Sequence, residues 1–176
     1  MKLKNIKNIP AQIASELVSF KDEKREKITN KIISLLYNDS ADALESAAPK
    51  ISLEELIDQN YIGFYPAVEV GINSIDKSTF LIINIENIDF YDSEGGIEVS
   101  GGIYVTTDKA YSLLQGNKLR LLELVDLIDS ALDGEKIGAA GKITLTSANY
   151  VVFSDFRCGY RIDFRLSDQQ KRKAEL

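Results

Sequence analysis

Apolar positions along the chain change period near residue 60. Upstream, Ile13, Leu17, Ile28, Ile32, Ile33 and Leu36 recur at roughly helical spacing, which gathers them on one face of a helix. Pro10 suits a first helical turn, where its missing N–H leaves no bond unmade. Lys21-Asp22-Glu23-Lys24-Arg25-Glu26-Lys27 mixes charge signs as a solvated helix face or a polar junction does. Asn38-Asp39-Ser40 breaks the pattern, the small residues from Ala41 to Ala48 predict a short helix, and Pro49 stops it. Ser52-Leu53-Glu54-Glu55 fits a capping box: the Ser52 hydroxyl accepts a helix-start N–H while Glu55 reaches back. Leu53, Leu56 and Ile57 give that short helix an apolar side.

After Tyr61 the pattern alternates. Val68, Val70 and Ile72 share one side and Glu69 and Gly71 the other, as in a half-buried strand. Phe80 to Ile85 is almost wholly apolar and reads as a more central strand. Asp92-Ser93-Glu94-Gly95-Gly96 is a turn signal. Ile97, Val99, Ile103 and Val105 continue the sheet, and Gly101-Gly102 marks a bulge or a close approach. A long helix follows, with Asn117 as its expected cap, its body running through Ala131, and Gly134 just past its end. Leu121, Leu124, Val125, Ile128 and Leu132 form its core stripe, and Lys118, Glu123, Asp126 and Asp129 lie largely away from it. Three strand-like runs close the chain: Lys142 to Leu145, Tyr150 to Phe153, and Tyr160 to Leu166. In the last, Tyr160, Ile162 and Phe164 alternate with Arg161, Asp163 and Arg165, which gives the strand one wet or subunit-facing side.

This order predicts an α+β fold: a mainly antiparallel β-sheet with the long helix packed on one face and an N-terminal helical segment. At 176 residues the chain suits one domain with a sizeable core. Residues 1–60 form the mainly helical segment, 61–166 the sheet and long helix, and 167–176 a polar tail.

Charge narrows the partners. The net charge of −6 opposes nucleic-acid binding, which needs a dense positive footprint, and Lys171, Arg172 and Lys173 read as a solvated terminus. Met1-Lys2-Leu3-Lys4-Asn5 opens no signal peptide and no apolar run is long enough for a membrane span, so a cytoplasmic protein is expected. Cys158 is alone, so no intrachain disulfide or cysteine zinc cluster is available. With Arg157 beside it, a structural cysteine is expected rather than a reactive one.

Histidine is absent, which removes the usual general base and commonest metal ligand. The pairs Glu54–Glu55 and Glu123–Asp126 fall on expected helix surfaces. Glu86, Asp89, Asp92 and Glu94 lack the ordered spacing of a calcium loop. Gly134, Gly138 and Gly141 precede Lys142 but follow a helix and enter a strand, the reverse of a phosphate loop. No catalytic, cofactor-binding or metal-binding residue is assigned. The aromatic group Tyr61, Phe64, Tyr65, Phe90 and Tyr91 either seals the core or offers a protein interface.

From Tyr65-Pro66-Ala67-Val68-Glu69-Val70, through Ile103-Tyr104-Val105 and the helix Leu121–Ile128, to Ala131-Leu132-Asp133-Gly134 and Tyr160-Arg161-Ile162-Asp163-Phe164, the chain resembles the tail terminator (tail completion) proteins of long-tailed phages. The likeness spans residues 25 to 166, with Ala41 to Asn60 as an insertion. It implies a non-catalytic homo-oligomeric ring, usually a hexamer, that caps the tail tube and meets the head-side connector. The implied partners are further copies, tube protein and connector protein, with no membrane and no specific nucleic acid. The implied location is the host-cell cytoplasm and then the virion. Arg161, Asp163 and Arg165 are the candidate subunit-interface residues, against an ordinary solvated sheet face. A small intracellular protein-binding or immunity-like module, monomeric or dimeric, is the alternative, and a carboxylate hydrolase a third.

Overall fold

The structure, a computed structural model, describes residues 8–64, 75–91, 96–138 and 140–167. The expected strand Val68–Ile72, Tyr65, residues 92–95 of the expected turn, and the Lys171–Lys173 tail lie outside them.

The fold is α+β. Helices α1 (Ile9–Leu17), α2 (Glu23–Tyr37) and α3 (Leu53–Asp58) precede strands β1 (Ile62–Gly63), β2 (Thr79–Tyr91) and β3 (Gly96–Asp108). Helix α4 (Arg120–Leu132) then leads into β4 (Lys142–Val152) and β5 (Arg157–Ser167). The five strands form one sheet in the order β1-β2-β3-β5-β4, antiparallel except for the short parallel β1–β2 pair.

Helices α1, α2 and α4 pack on one face of this sheet. Ile13, Leu17, Ile32, Ile33 and Leu36 are buried there, with Leu121, Leu124, Ile128 and Leu132 from α4. They meet Leu81, Ile83, Ile103, Val105, Ile162 and Phe164 in one core. Because strand side chains alternate, Phe80, Ile82 and Tyr104 point to the other face, where they form a small second cluster with Ile75.

Local chemistry explains the helix starts. Pro10 sits in the first turn of α1. Asp22 caps α2 by accepting the Arg25 N–H at 2.9 Å, so the mixed-charge run is both junction and first turn. The Ser52–Glu55 capping box closes in both directions, at 3.1 and 2.8 Å.

Three expectations need correction. Residues 41–48 form no helix, and 41–45 are turns: Ser34 donates to Ala43 O at 2.5 Å and Ser46 donates to Asp42 O at 3.0 Å, so side chains take backbone carbonyls a helix would need. Asn117 does not cap α4, and the helix begins three residues later, after Leu119. Leu114 N–H bonds Lys118 O and Arg120 N–H bonds Ser112 O, which keeps the chain folded back until Arg120, and Asn117 takes a left-handed φ of 60°. The two runs at 142–145 and 150–153 belong to one strand, whose register shifts between Leu145 and Ser147.

The Gly101-Gly102 pair answers to a close approach. A Cβ on Gly101 would lie 2.0 Å from Asn84 O, and the register shift sits opposite, between Ile85 and Asn87. Gly134, as expected, follows α4 with φ of 79°, a conformation glycine adopts freely.

Candidate interaction surfaces

Strand β5 turns Ile162 and Phe164 into the core and Arg161, Asp163 and Arg165 away from it, as the alternation requires. Arg161 and Asp163 are joined: the guanidinium donates to Asp163 at 2.7 Å and to Glu86 at 2.5 Å, and lies 5.6 Å from the Tyr104 ring. Tyr104 donates to the other Glu86 oxygen at 3.2 Å. Ser147 donates to Asp163 at 2.5 Å. Partial burial works against the Asp163 charge, but hydrogen bonds from Ser147 and Arg161 hold its carboxyl below the usual range. The same pairing keeps the Arg161 guanidinium above its ordinary value despite burial, while burial chiefly raises the Tyr104 hydroxyl. Two of the three expected residues therefore belong to a network spanning β2, β3, β5 and β4. Arg165 stands apart: it is exposed and has no hydrogen-bond or ion-pair partner among the described residues.

The most enclosed polar groups hold the fold together. Arg120, with no exposed surface, donates to Leu35 O, Asn38 O, Ser40 O and Tyr111 O at 2.7–2.8 Å. Burial lowers its pKa, the expected price of desolvating a cation. Arg157 donates to Asp108 and to the carbonyls of Ile75 and Lys77, and stacks on Phe80. Arg25 reaches Ser130 O and Glu135. Sequence patterning identified none of these roles, because each depends on carbonyls remote along the chain. Among the carboxylates weighed for acid/base catalysis, Glu55 serves the capping box and Glu123 pairs with Lys118 at 3.8 Å, and Glu86, from the acidic group weighed for calcium, pairs with Arg161. Cys158 is buried in the main core.

The aromatic group divides. Tyr61 is buried against Tyr37 and Phe64 packs on the core, so these two seal it, whereas Phe90 is exposed.

Exposed apolar residues lie on both flanks of the helical layer, and others, among them Phe90, Tyr111, Leu113 and Phe156, lie away from them. Strand β4 is an outer strand of the sheet. Its first half is covered: Gly134 N–H bonds Ile143 O, Ile143 N–H bonds Glu135 O, and Leu145 N–H bonds Asp133. Its second half, Ser147–Val152, has no strand on its outer side among the described residues and carries no charged side chain. Tyr150 and Val152 are 56% and 59% exposed there. Between this strand and α4 runs a groove of about 390 Å³ lined by Leu122, Val125 and Ala148, with Asp126 and Asp129 on its helix side. On the far flank, beside α2, an open groove of about 850 Å³ has Phe20, Leu44, Ala48, Pro49 and Ile51 in its wall. Lys27, Lys31 and Lys50 border it together with Glu26 and Glu55, and Lys27 is paired with Glu23 at 2.8 Å. The exposed Phe20 and Leu122, both off the helical stripes, were the sequence signals for these surfaces.

Among the described residues no helix is long and apolar enough to cross a membrane. The fold and these surfaces define a small α+β protein on a five-stranded mixed sheet, with paired polar groups and apolar flanks. The chain belongs to the YomW family, whose model matches residues 30–166, from within α2 to the end of β5. The family is phage-associated, from the Bacillus phage SPBeta region. No curated protein matches the chain at a significant level.

Proposed function

We propose that this protein is a non-catalytic assembly component of a phage particle: a tail terminator that closes into a ring on the tail tube, stops its growth and meets the head-side connector. The observation that carries the reading is the outer half of β4. An open strand edge is a template for pairing with another chain, and proteins ordinarily blunt such edges with charge, proline or a covering segment. Here Ser147–Val152 has neither charge nor proline and adds exposed Tyr150 and Val152, so the edge is suited to cover by another polypeptide. The phage-associated family and the pattern shared with tail terminators supply the setting. The Arg161–Asp163 network stiffens the sheet that presents this edge, and Arg165 is the member of the expected trio free to contact a neighbour.

Light scattering of the purified protein over a dilution series, with negative-stain imaging, tests the reading. A closed ring of about hexameric mass is expected, since a heterologous contact that closes gives a ring. A strict monomer that also fails to associate with tube protein overturns the reading in favour of a monomeric binding module.

A further inference from the structure

We infer that the outer half of β4 pairs with the same segment of a second copy, antiparallel about a twofold axis at Tyr150, so that the sheet runs on through both copies. The inference goes beyond the assembly reading, since two copies satisfy it without a ring; a ring built from such pairs needs a second contact.

Hydrogen-bond parity decides which backbone groups of this edge are open. Along an antiparallel pair, residues bonded across the ladder alternate with residues whose N–H and C=O point away. Phe153 N–H bonds Arg157 O, so the bonded pairs between β4 and β5 continue as Val151–Gly159 and Asn149–Arg161. Ala148, Tyr150 and Val152 therefore turn their backbone groups outward. The first half of the edge shows how such groups are satisfied: Ile143 bonds Gly134 and Glu135, and Leu145 N–H bonds Asp133. No described residue does the same for Ala148, Tyr150 or Val152.

This open row is its own complement. With Tyr150 set antiparallel against Tyr150 of a second copy, Ala148 falls opposite the second copy's Val152, and each outward N–H meets an outward C=O. Centring the pair on Ala148 or Val152 instead leaves part of the row unbonded, so the edge favours one register. Side chains agree with it. Ala148, Tyr150 and Val152 lie opposite Ile162, Tyr160 and Cys158 and share the helix side of the sheet. The small Ala148 then sits beside the larger Val152, and the exposed tyrosines pair at the axis, the kind of cross-strand contact that stabilises sheets. Charge points to a second copy as the occupant. From Ile143 to Phe153 no charged residue occurs, so a chain of net charge −6 meets itself here with no like charges opposed across the paired stretch.

The test puts charge at the axis in the full chain. Tyr150→Lys and Tyr150→Glu each set like charges against one another in the twofold register, and an equimolar mixture sets Lys against Glu. Ala148→Pro removes an outward N–H and spares the bonds between β4 and β5. Each protein is followed by light scattering over a dilution series, with far-UV circular dichroism as the check on folding. The parent should form a dimer, alone or as the unit of larger even-numbered species. The three variants should each pair more than about tenfold more weakly, and the Lys–Glu mixture should pair more tightly than either member alone. Folded variants that associate as the parent does overturn the edge contact and leave the assembly reading to its own test. A mixture no tighter than its members overturns the twofold register. A parent that is monomeric at every concentration, even one that binds tube protein, overturns self-pairing, and tube binding then decides the assembly reading. A parent that stops at the dimer supports the pairing and counts against a ring formed without tube protein, so the two readings fail separately.

Discussion

Replacing Arg120 with methionine keeps much of the side chain's apolar volume and removes its charge and donors. The guanidinium makes four charge-assisted bonds to carbonyls, at Leu35, Asn38, Ser40 and Tyr111. Bonds of this type contribute about 1.5–3 kcal/mol each, against a desolvation penalty of several kcal/mol for a buried cation. The balance favours arginine by roughly 2–5 kcal/mol, because three of the carbonyls belong to the C-terminal end of α2 and the residues just after it, where no helical N–H is left to bond them. In a domain of this size each kcal/mol moves the melting temperature by about 2–4 °C, so R120M should melt roughly 5–20 °C lower. Urea unfolding followed by far-UV circular dichroism measures the free energy directly, and R120K should fall between, since an ammonium keeps the charge but loses the planar fork. An R120M protein as stable as its parent would refute the argument: desolvation would then cancel the four bonds, and the junction between α2 and α4 would be held by apolar packing alone.

Gly101→Ala forces a Cβ to within 2.0 Å of Asn84 O, and overpacking of this kind costs about 1–3 kcal/mol; a melting temperature equal to the parent's would show that the β2 distortion opposite relaxes freely. Asp163 has its carboxyl held below the ordinary value, so its contribution is present above the unfolded pKa of about 4 and is lost as pH falls through the lower folded value. D163N should therefore lose less stability than the parent between neutral and strongly acid pH, and parallel acid titrations of unfolding would contradict the network's role. Arg165→Ala should change stability by less than about 0.5 kcal/mol, as exposed substitutions do, while weakening self-association; unchanged association removes Arg165 from the contact.

Local signals were legible wherever the cause was local. The Ser52 capping box, the α4 stripe and the β5 alternation each depend on residues within a few positions of one another, and each appears as read. Asn117 misled because its cap propensity was outweighed by non-local bonds: the chain folds back through Leu114 N–H to Lys118 O, and α4 waits for Arg120. The 41–48 run misled because small residues permit a helix without requiring one, and the Ser34 and Ser46 hydroxyls offered the backbone carbonyls other partners. The interface trio was half legible. Alternation put Arg161 and Asp163 on the outer face, but only pairing across four strands revealed that Glu86 and Ser147 engage them. The flank surfaces were hidden for a different reason: Phe20, Lys31 and Lys50 are separated in sequence and become one groove only after α2 and the 44–52 segment fold together.

The buried arginines bear on assembly as well as stability. Arg25, Arg120 and Arg157 are withdrawn from solvent; Arg25 faces Glu135 and Arg157 faces Asp108, whereas Arg120 is held by carbonyls alone. With a net charge of −6, copies approaching one another repel at long range. Salt screens that repulsion over about 8–10 Å near physiological ionic strength, while pairs buried in a contact are screened much less. A self-contact must therefore combine apolar area with a stretch free of like charge. Since Arg120 also anchors α4 to the end of α2, loosening it should blur the geometry of assembly before it unfolds the chain.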